Sequence, residues 1–230
     1  MGSRIFGIDI ETGNREQLLE RARALIGKGG AIATVNPIMM SYAREDGDFR
    51  ETLAGFELCI PDGVGIKLAL FLRSEPCEVL AGVELGKLML AEGEVTLALV
   101  GGKPGVARRA MENLKAEFPR VKEAFVFDGY NFDEGELAAV LGKTEPTLAY
   151  FCLGTPRQER LISRMREFSP STVFIGLGGS LDVYSMDVRR APRIFRALGA
   201  EWLWRIIRTP SRIKKLPRIF SFLAAAVRGE

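Results

Sequence analysis

Groups able to do chemistry gather where apolar runs of this chain stop. ATVNP presents Thr34 and Asn36, CIPDGVG presents Asp62, and LVGGKPG presents Gly101 and Gly102. CLGTPRQE presents Gly154, Gln158 and Glu159, and GLGGSLD presents Gly178, Gly179 and Asp182. A carboxylate such as Asp62 is suited to acid-base work, although Asp62-Gly63 taken alone reads first as a turn. Hydroxyl and amide side chains hydrogen-bond a polar substrate without adding charge, and glycine lets a ligand approach the backbone closely. The chain has no histidine. That removes Ser-His and Cys-His nucleophile pairs and histidine bases, so proton transfer near neutral pH falls to carboxylates, Lys, Tyr or Cys. Cys59, Cys77 and Cys152 lack metal-type spacing. Cys59 and Cys152 lie in apolar runs, where a thiol packs as a small hydrophobe, and no structural disulfide is expected.

Two further clusters need weighing. Asp46 and Asp48 in EDGDF form the Asp-x-Asp pair that binds metal in many sugar transferases, but they sit between two helical patterns, away from any strand end. A solvated helix cap is the expected reading, with no metal. GGKPG resembles a phosphate-binding turn feeding a helix, yet it lacks the spacing of a P-loop or a dinucleotide fingerprint. It signals a phosphate or nucleotide weakly and ATP hydrolysis not at all.

The elements that must position these groups follow from periodicity. RIFGIDI, GAIATVN, FELCIPDG, VTLALVGG, EAFVFDGY, TLAYFCLGTP and STVFIGLGG read as strands closed by Gly, Pro, Asn or Asp. Residues 14–28, 104–118, 133–141 and 156–168 carry apolar residues at helical spacing. The strands are apolar throughout, as expected where helices cover both faces of a sheet. The predicted fold is α/β: a mostly parallel, Rossmann-like sheet covered by helices, followed by a C-terminal helical appendage. Residues 1–190 form the expected catalytic domain and residues 191–230 the appendage. Ligands of such sheets bind at the carboxyl ends of the strands, where all of these motifs fall.

The charge is unevenly spread. The chain has 230 residues, 47% of them hydrophobic, and a net charge of +3. Nine Arg and two Lys against Glu201 and Glu230 give residues 189–230 a net +9, leaving −6 on the rest. No apolar run approaches the roughly 20 residues needed to cross a bilayer, and the start lacks a secretory leader pattern. The expected location is cytoplasmic. By periodicity alone the tail reads as a helix packed on its own domain or on a sister subunit, but its +9 charge favours docking of residues 191–230 on an anionic membrane surface, with Trp and Ile of EWLWRIIRTPSR in the lipid interface and its cations on head groups. An acidic body and a pI near 8.8 argue against nucleic acid as a partner. A homo-oligomer stays open.

ATVNP, IPDGVG, GGKPGVARRAMENL, LGTPRQE, GLGGSLD, RRAP and EWLWRIIRTPSR occur in one order along the chain. Together they resemble the WecG/TagA/CpsF glycosyltransferases, from about Ile5 to about Arg218. The resemblance implies transfer of an N-acetylated amino sugar, N-acetylmannosamine being expected, from a UDP-sugar donor to a lipid-linked polyprenyl-diphosphate N-acetylglucosamine acceptor in cell wall and teichoic acid synthesis. It implies inversion, no cofactor, no Asp-x-Asp metal and, because the acceptor is a membrane lipid, a peripheral place on the inner face of the cell membrane. It makes Asp62 the general base, brings Thr34, Asn36 and Gln158 to the substrate, and sets Gly101 and Gly102 near the diphosphate or uridine. It also assigns Arg205, Arg212 and Lys215 of the appendage to the substrate diphosphate. The chain departs from the family pattern at Val79, where an Arg is usual, and at Glu84, where Asp is usual. Met186 replaces a glycine, so a different local turn is expected there. A non-catalytic, membrane-tethered UDP-sugar binding module is the competing reading.

Overall fold

A computed structural model describes residues 2–91, 93–188, 191–192, 195, 204, 207, 213 and 216–228. The chain opens with two short strands, β1 (Gly2–Ile5) and β2 (Ile8–Glu11), followed by α1 (Arg15–Arg23). Next come β3 (Gly30–Val35), α2 (Pro37–Glu45), α3 (Gly47–Ala54), β4 (Leu58–Pro61), α4 (Val64–Leu72) and α5 (Gly82–Leu90). The second half alternates β5 (Val95–Gly101), α6 (Val106–Glu117), β6 (Val121–Phe127), α7 (Glu134–Thr144), β7 (Leu148–Cys152), α8 (Arg157–Met165), β8 (Val173–Gly176) and α9 (Ser180–Tyr184). The last described helix is α10 (Leu216–Val227).

Six strands form one parallel sheet in the order β4-β3-β8-β7-β5-β6. β3, β7 and β8 are buried at every residue. The alternation of side chains along a strand divides them between two cores. Ala31, Ala33 and Val35 pack with Ala149, Phe151 and Phe174 on one face, against residues of α2, α4, α8 and α10. Ile32, Leu148, Tyr150 and Ile175 pack on the other, against α1, α5, α6 and α9. The predicted α/β fold is the one observed.

One predicted strand divides. RIFGIDI becomes an antiparallel hairpin, β1 with β2, separate from the main sheet. Phe6 and Gly7 make its two-residue turn, with φ of 52° and 81°, the paired positive angles that match a hairpin's twist. The three cysteines are free and buried, and burial pushes the thiols of Cys59 and Cys152 up to about 12.

The helical character expected near the end of the chain is present in α10, which packs on α2 and α4. Phe222 is fully buried and meets Phe6 edge to face at 6.0 Å, while Ala225 and Ala226 complete the contact. Arg73 donates to the carbonyl of Ala226 at 3.1 Å, Ser41 to that of Arg218 at 3.0 Å, and the Arg218 guanidinium lies 4.5 Å over Tyr42. Phe220, Ile207 and Ile213 remain exposed. No helix among the described residues is long and apolar enough to cross a membrane.

Candidate active site

The carboxyl ends of β3 and β4 bring three of the expected residues to one edge. Asp62 follows β4, and its backbone N–H donates to the Val35 carbonyl at 2.8 Å, extending the ladder past the last strand residue. Its Oδ2 lies 3.5 Å from the backbone N–H of Gly82, the first residue of α5. Gly63, next in the chain, has a φ of 84°, and nothing lies within 4 Å of where its Cβ would stand. The carboxylate is thus half-buried beside open space.

Thr34 is buried and donates from Oγ1 to the carbonyl of Gly176, 2.9 Å away on β8. A Cβ on Gly82 would lie 3.0 Å from that hydroxyl, so Thr34 and Asp62 meet across a residue that must stay bare. Asn36 caps α2: its Oδ1 accepts from the N–H groups of Ile38 and Met39, both at 3.1 Å. A cap needs only the carbonyl half of the amide, and Nδ2 has no hydrogen bond among the described residues.

The ends of β7 and β8 are joined by Gln158, which is 1% exposed. Its Oε1 accepts from the N–H groups of Gly154 at 3.2 Å and Gly178 at 3.0 Å, tying the turn after β7 to the turn after β8. Its Nε2 donates to Glu159 Oε1 at 2.6 Å. A Cβ on Gly176 would lie 2.9 Å from that nitrogen. Gly176 therefore touches Gln158 on one side and accepts from Thr34 on the other, which makes Asp62, Thr34 and Gln158 one contiguous set. Glu159 is fully buried, and desolvation raises its carboxyl to about 7 against hydrogen bonds from Gln158, its own backbone and Thr155. Its Oε2 has no hydrogen-bond partner.

At the end of β5 the glycines have a packing cause. A Cβ on Gly101 would stand 2.4 Å from the Cys152 carbonyl oxygen, and one on Gly102 2.9 Å from Val106. The Gly102 N–H donates to the Cys152 carbonyl at 3.4 Å. Neighbouring chain lies close enough to require glycine at both positions. The bare positions that face open space at this edge are Gly63, Gly154 and Gly178, all at positive φ.

The departures from the family pattern also have structural answers. Arg15, at the start of α1, donates to the Val79 carbonyl at 3.3 Å and pairs with Glu84. A guanidinium therefore reaches the stretch where the expected arginine is missing. Met186 has a φ of 64°, the left-handed region that glycine favours. Asp46 caps α3 through the Phe49 N–H at 3.0 Å and pairs with Arg160 at 2.5 Å, the cap that its position predicted. Arg205, Arg212 and Lys215 lie outside the described residues. Sequence reasoning passed over Gly82 and Arg15, and it named Glu159 among the strand-end groups without giving it a role.

The comparisons identify the family. Residues 3–230 match the glycosyl transferase WecG/TagA/CpsF family. The chain is 32% identical over 206 residues to an N-acetylglucosaminyldiphosphoundecaprenol N-acetyl-beta-D-mannosaminyltransferase of Bacillus subtilis (strain 168), covering 88% of this chain and 80% of that protein. It is 30% identical over 207 residues to the protein of the same name from Bacillus spizizenii, with the same coverage. A parallel sheet whose strand ends gather the family's motifs, matched over nearly its whole length, places the chain in the WecG/TagA/CpsF glycosyl transferase family.

Proposed function

We propose that the protein transfers N-acetylmannosamine, with inversion, from a UDP donor to N-acetylglucosamine carried on a polyprenyl diphosphate. The observation that carries this reading is Asp62, a half-buried carboxylate at a strand end, 3.5 Å from the N–H of Gly82, the glycine that also packs on Thr34. The printed names of the two Bacillus relatives supply the acceptor and the sugar.

In this mechanism Asp62 accepts the proton of the acceptor hydroxyl as that oxygen attacks the anomeric carbon. The C–O bond to the diphosphate breaks on the opposite face, and its electron pair leaves with UDP. A single displacement inverts the centre. Asn36 Nδ2, the lone pairs of Thr34 Oγ1 and the remaining Nε2 hydrogen of Gln158 serve the sugar hydroxyls and acetamido group. Gly101 and Gly102 let the turn into α6 stand close to the diphosphate or uridine. Arg205, Arg212 and Lys215 supply its counter-charge, with Arg15 at the position left by Val79. No metal takes part. Residues 191–230 hold the protein on the anionic cytoplasmic face of the membrane, with the exposed Ile207, Ile213 and Phe220 meeting lipid.

The test is transfer of labelled N-acetylmannosamine from its UDP donor to a polyprenyl-diphosphate N-acetylglucosamine analogue, with EDTA present and Asp62→Asn alongside. Product from the wild type alone supports donor, acceptor, metal independence and base together. An active Asp62→Asn enzyme would remove Asp62 from the role.

A further inference from the structure

Glu159 has no part in the mechanism above, yet it is a fully buried carboxyl in direct contact with a residue that has one. Its Oε1 accepts from Gln158 Nε2 at 2.6 Å and from Thr155 Oγ1 at 3.2 Å, and its Oε2 is buried without a partner. An amide at this position could make the same two bonds without the cost of burying a charge. Stability is therefore not what the carboxylate supplies.

What it supplies is orientation. The Gln158 amide has a carbonyl end, which takes two backbone N–H donors from Gly154 and Gly178, and an amino end, which must find an acceptor. The Glu159 carboxylate is that acceptor, and it is stronger than any neutral group. A flipped amide would set its NH2 against two N–H groups and its carbonyl against a carboxylate. We propose that Glu159 is the positioning residue of the site: its buried carboxylate locks the Gln158 amide, and through it the turns after β7 and β8, in the geometry that receives the donor sugar. This rests on the assignment of Gln158 to the substrate.

The surroundings leave the carboxyl free to titrate by itself. On β4 the neighbour is Cys59, a neutral thiol whose proton Glu159 helps retain. Asp46 on α3 is held by Arg160, and Glu134 on α7 by Arg164. β3 and β8 carry no titratable side chain, and the two on β7, Tyr150 and Cys152, stay neutral because burial raises both. Protonation leaves Gln158 with a neutral, weaker acceptor, a state that Glu159→Gln reproduces at every pH.

The experiment measures kcat and donor KM between pH 5.5 and 8.5 for the wild type, Gln158→Ala, Glu159→Gln, Glu159→Leu and the Gln158→Ala/Glu159→Leu double variant. For the wild type, donor KM is expected to rise several-fold as pH falls through about 7. Glu159→Gln should hold the raised KM at all pH values. Glu159→Leu should lose roughly tenfold or more in kcat/KM, and the double variant should be no worse than the worse single one, as for residues acting as a unit. Side-chain amide resonances of Gln158 that titrate near pH 7 in the wild type and stay fixed in Glu159→Gln would report the lock directly. They also decide the matter if Glu159→Leu does not fold. An unchanged KM inflection in Glu159→Gln, additive losses in the double variant, or resonances indifferent to pH would overturn the proposal. A Gln158→Ala enzyme with wild-type kinetics would instead overturn the substrate assignment beneath it.

Discussion

The two halves of the carboxyl edge are built on opposite principles. At β3 and β4 Asn36 and Asp62 are half-buried, while Thr34 is buried and bonded across to β8. At β7 and β8 the polar groups are sealed: Gln158 and Glu159 are both buried, and Gln158 spends its carbonyl on two turns. The first half presents reactive atoms and the second fixes where they stand, so a substitution should be read in turnover on one side and in stability or geometry on the other.

The sharpest way to break that division is Asp62→Asn. Loss of the base should lower kcat roughly 10²- to 10⁴-fold with the thermal midpoint unchanged; a folding defect of similar size would make Asp62 scaffold. On the sealed side, Glu159→Gln should act on stability in a pH-dependent way. The Glu159 carboxyl is raised from its ordinary 4.5 to about 7, so the stability it contributes is full below 4.5 and lost as pH rises through 7. At about 1.4 kcal/mol per pH unit, Glu159→Gln should gain up to roughly 3 kcal/mol over the wild type at pH 8 and almost nothing at pH 4.5, measured by denaturant titration. Asn36 stands between the two classes. Asn36→Ala should cost about 1 kcal/mol for the lost cap and also raise donor KM, whereas a pure cap would change stability alone. Met186→Gly, remote from this division, should gain roughly 0.5 kcal/mol in the same titration by relieving a left-handed backbone.

Much of this edge could be read from the sequence, because a buried parallel strand is an apolar run and its end is marked by the first residue that cannot continue it. Thr34, Asn36 and Asp62 were legible in that way. The hairpin was not: Phe6 carries no glycine-like signal for its φ of 52°, so RIFGIDI passes for one strand. Helix α4, VGIKLALFL, is apolar on most sides, and periodicity gives it no face to recognise. Contacts between distant residues are invisible for a simpler reason. Nothing local to Gly101 announces that the Cys152 carbonyl will lie where its side chain would be, and nothing near Gln158 announces the N–H of Gly178.

The burial of Phe222, Ala225 and Ala226 against α2 and α4 changes what the basic segment is. Ala191 is buried and α10 is fastened to α2 and α4, so the chain is back on the body by residue 216. If the cations between these points serve the site as proposed, loop closure sets their effective concentration there. The same anchoring means that cutting the chain before residue 193 would strip side chains from the core along with the cations. Their contribution is better measured by neutralising Arg205, Arg212 and Lys215 in the intact chain.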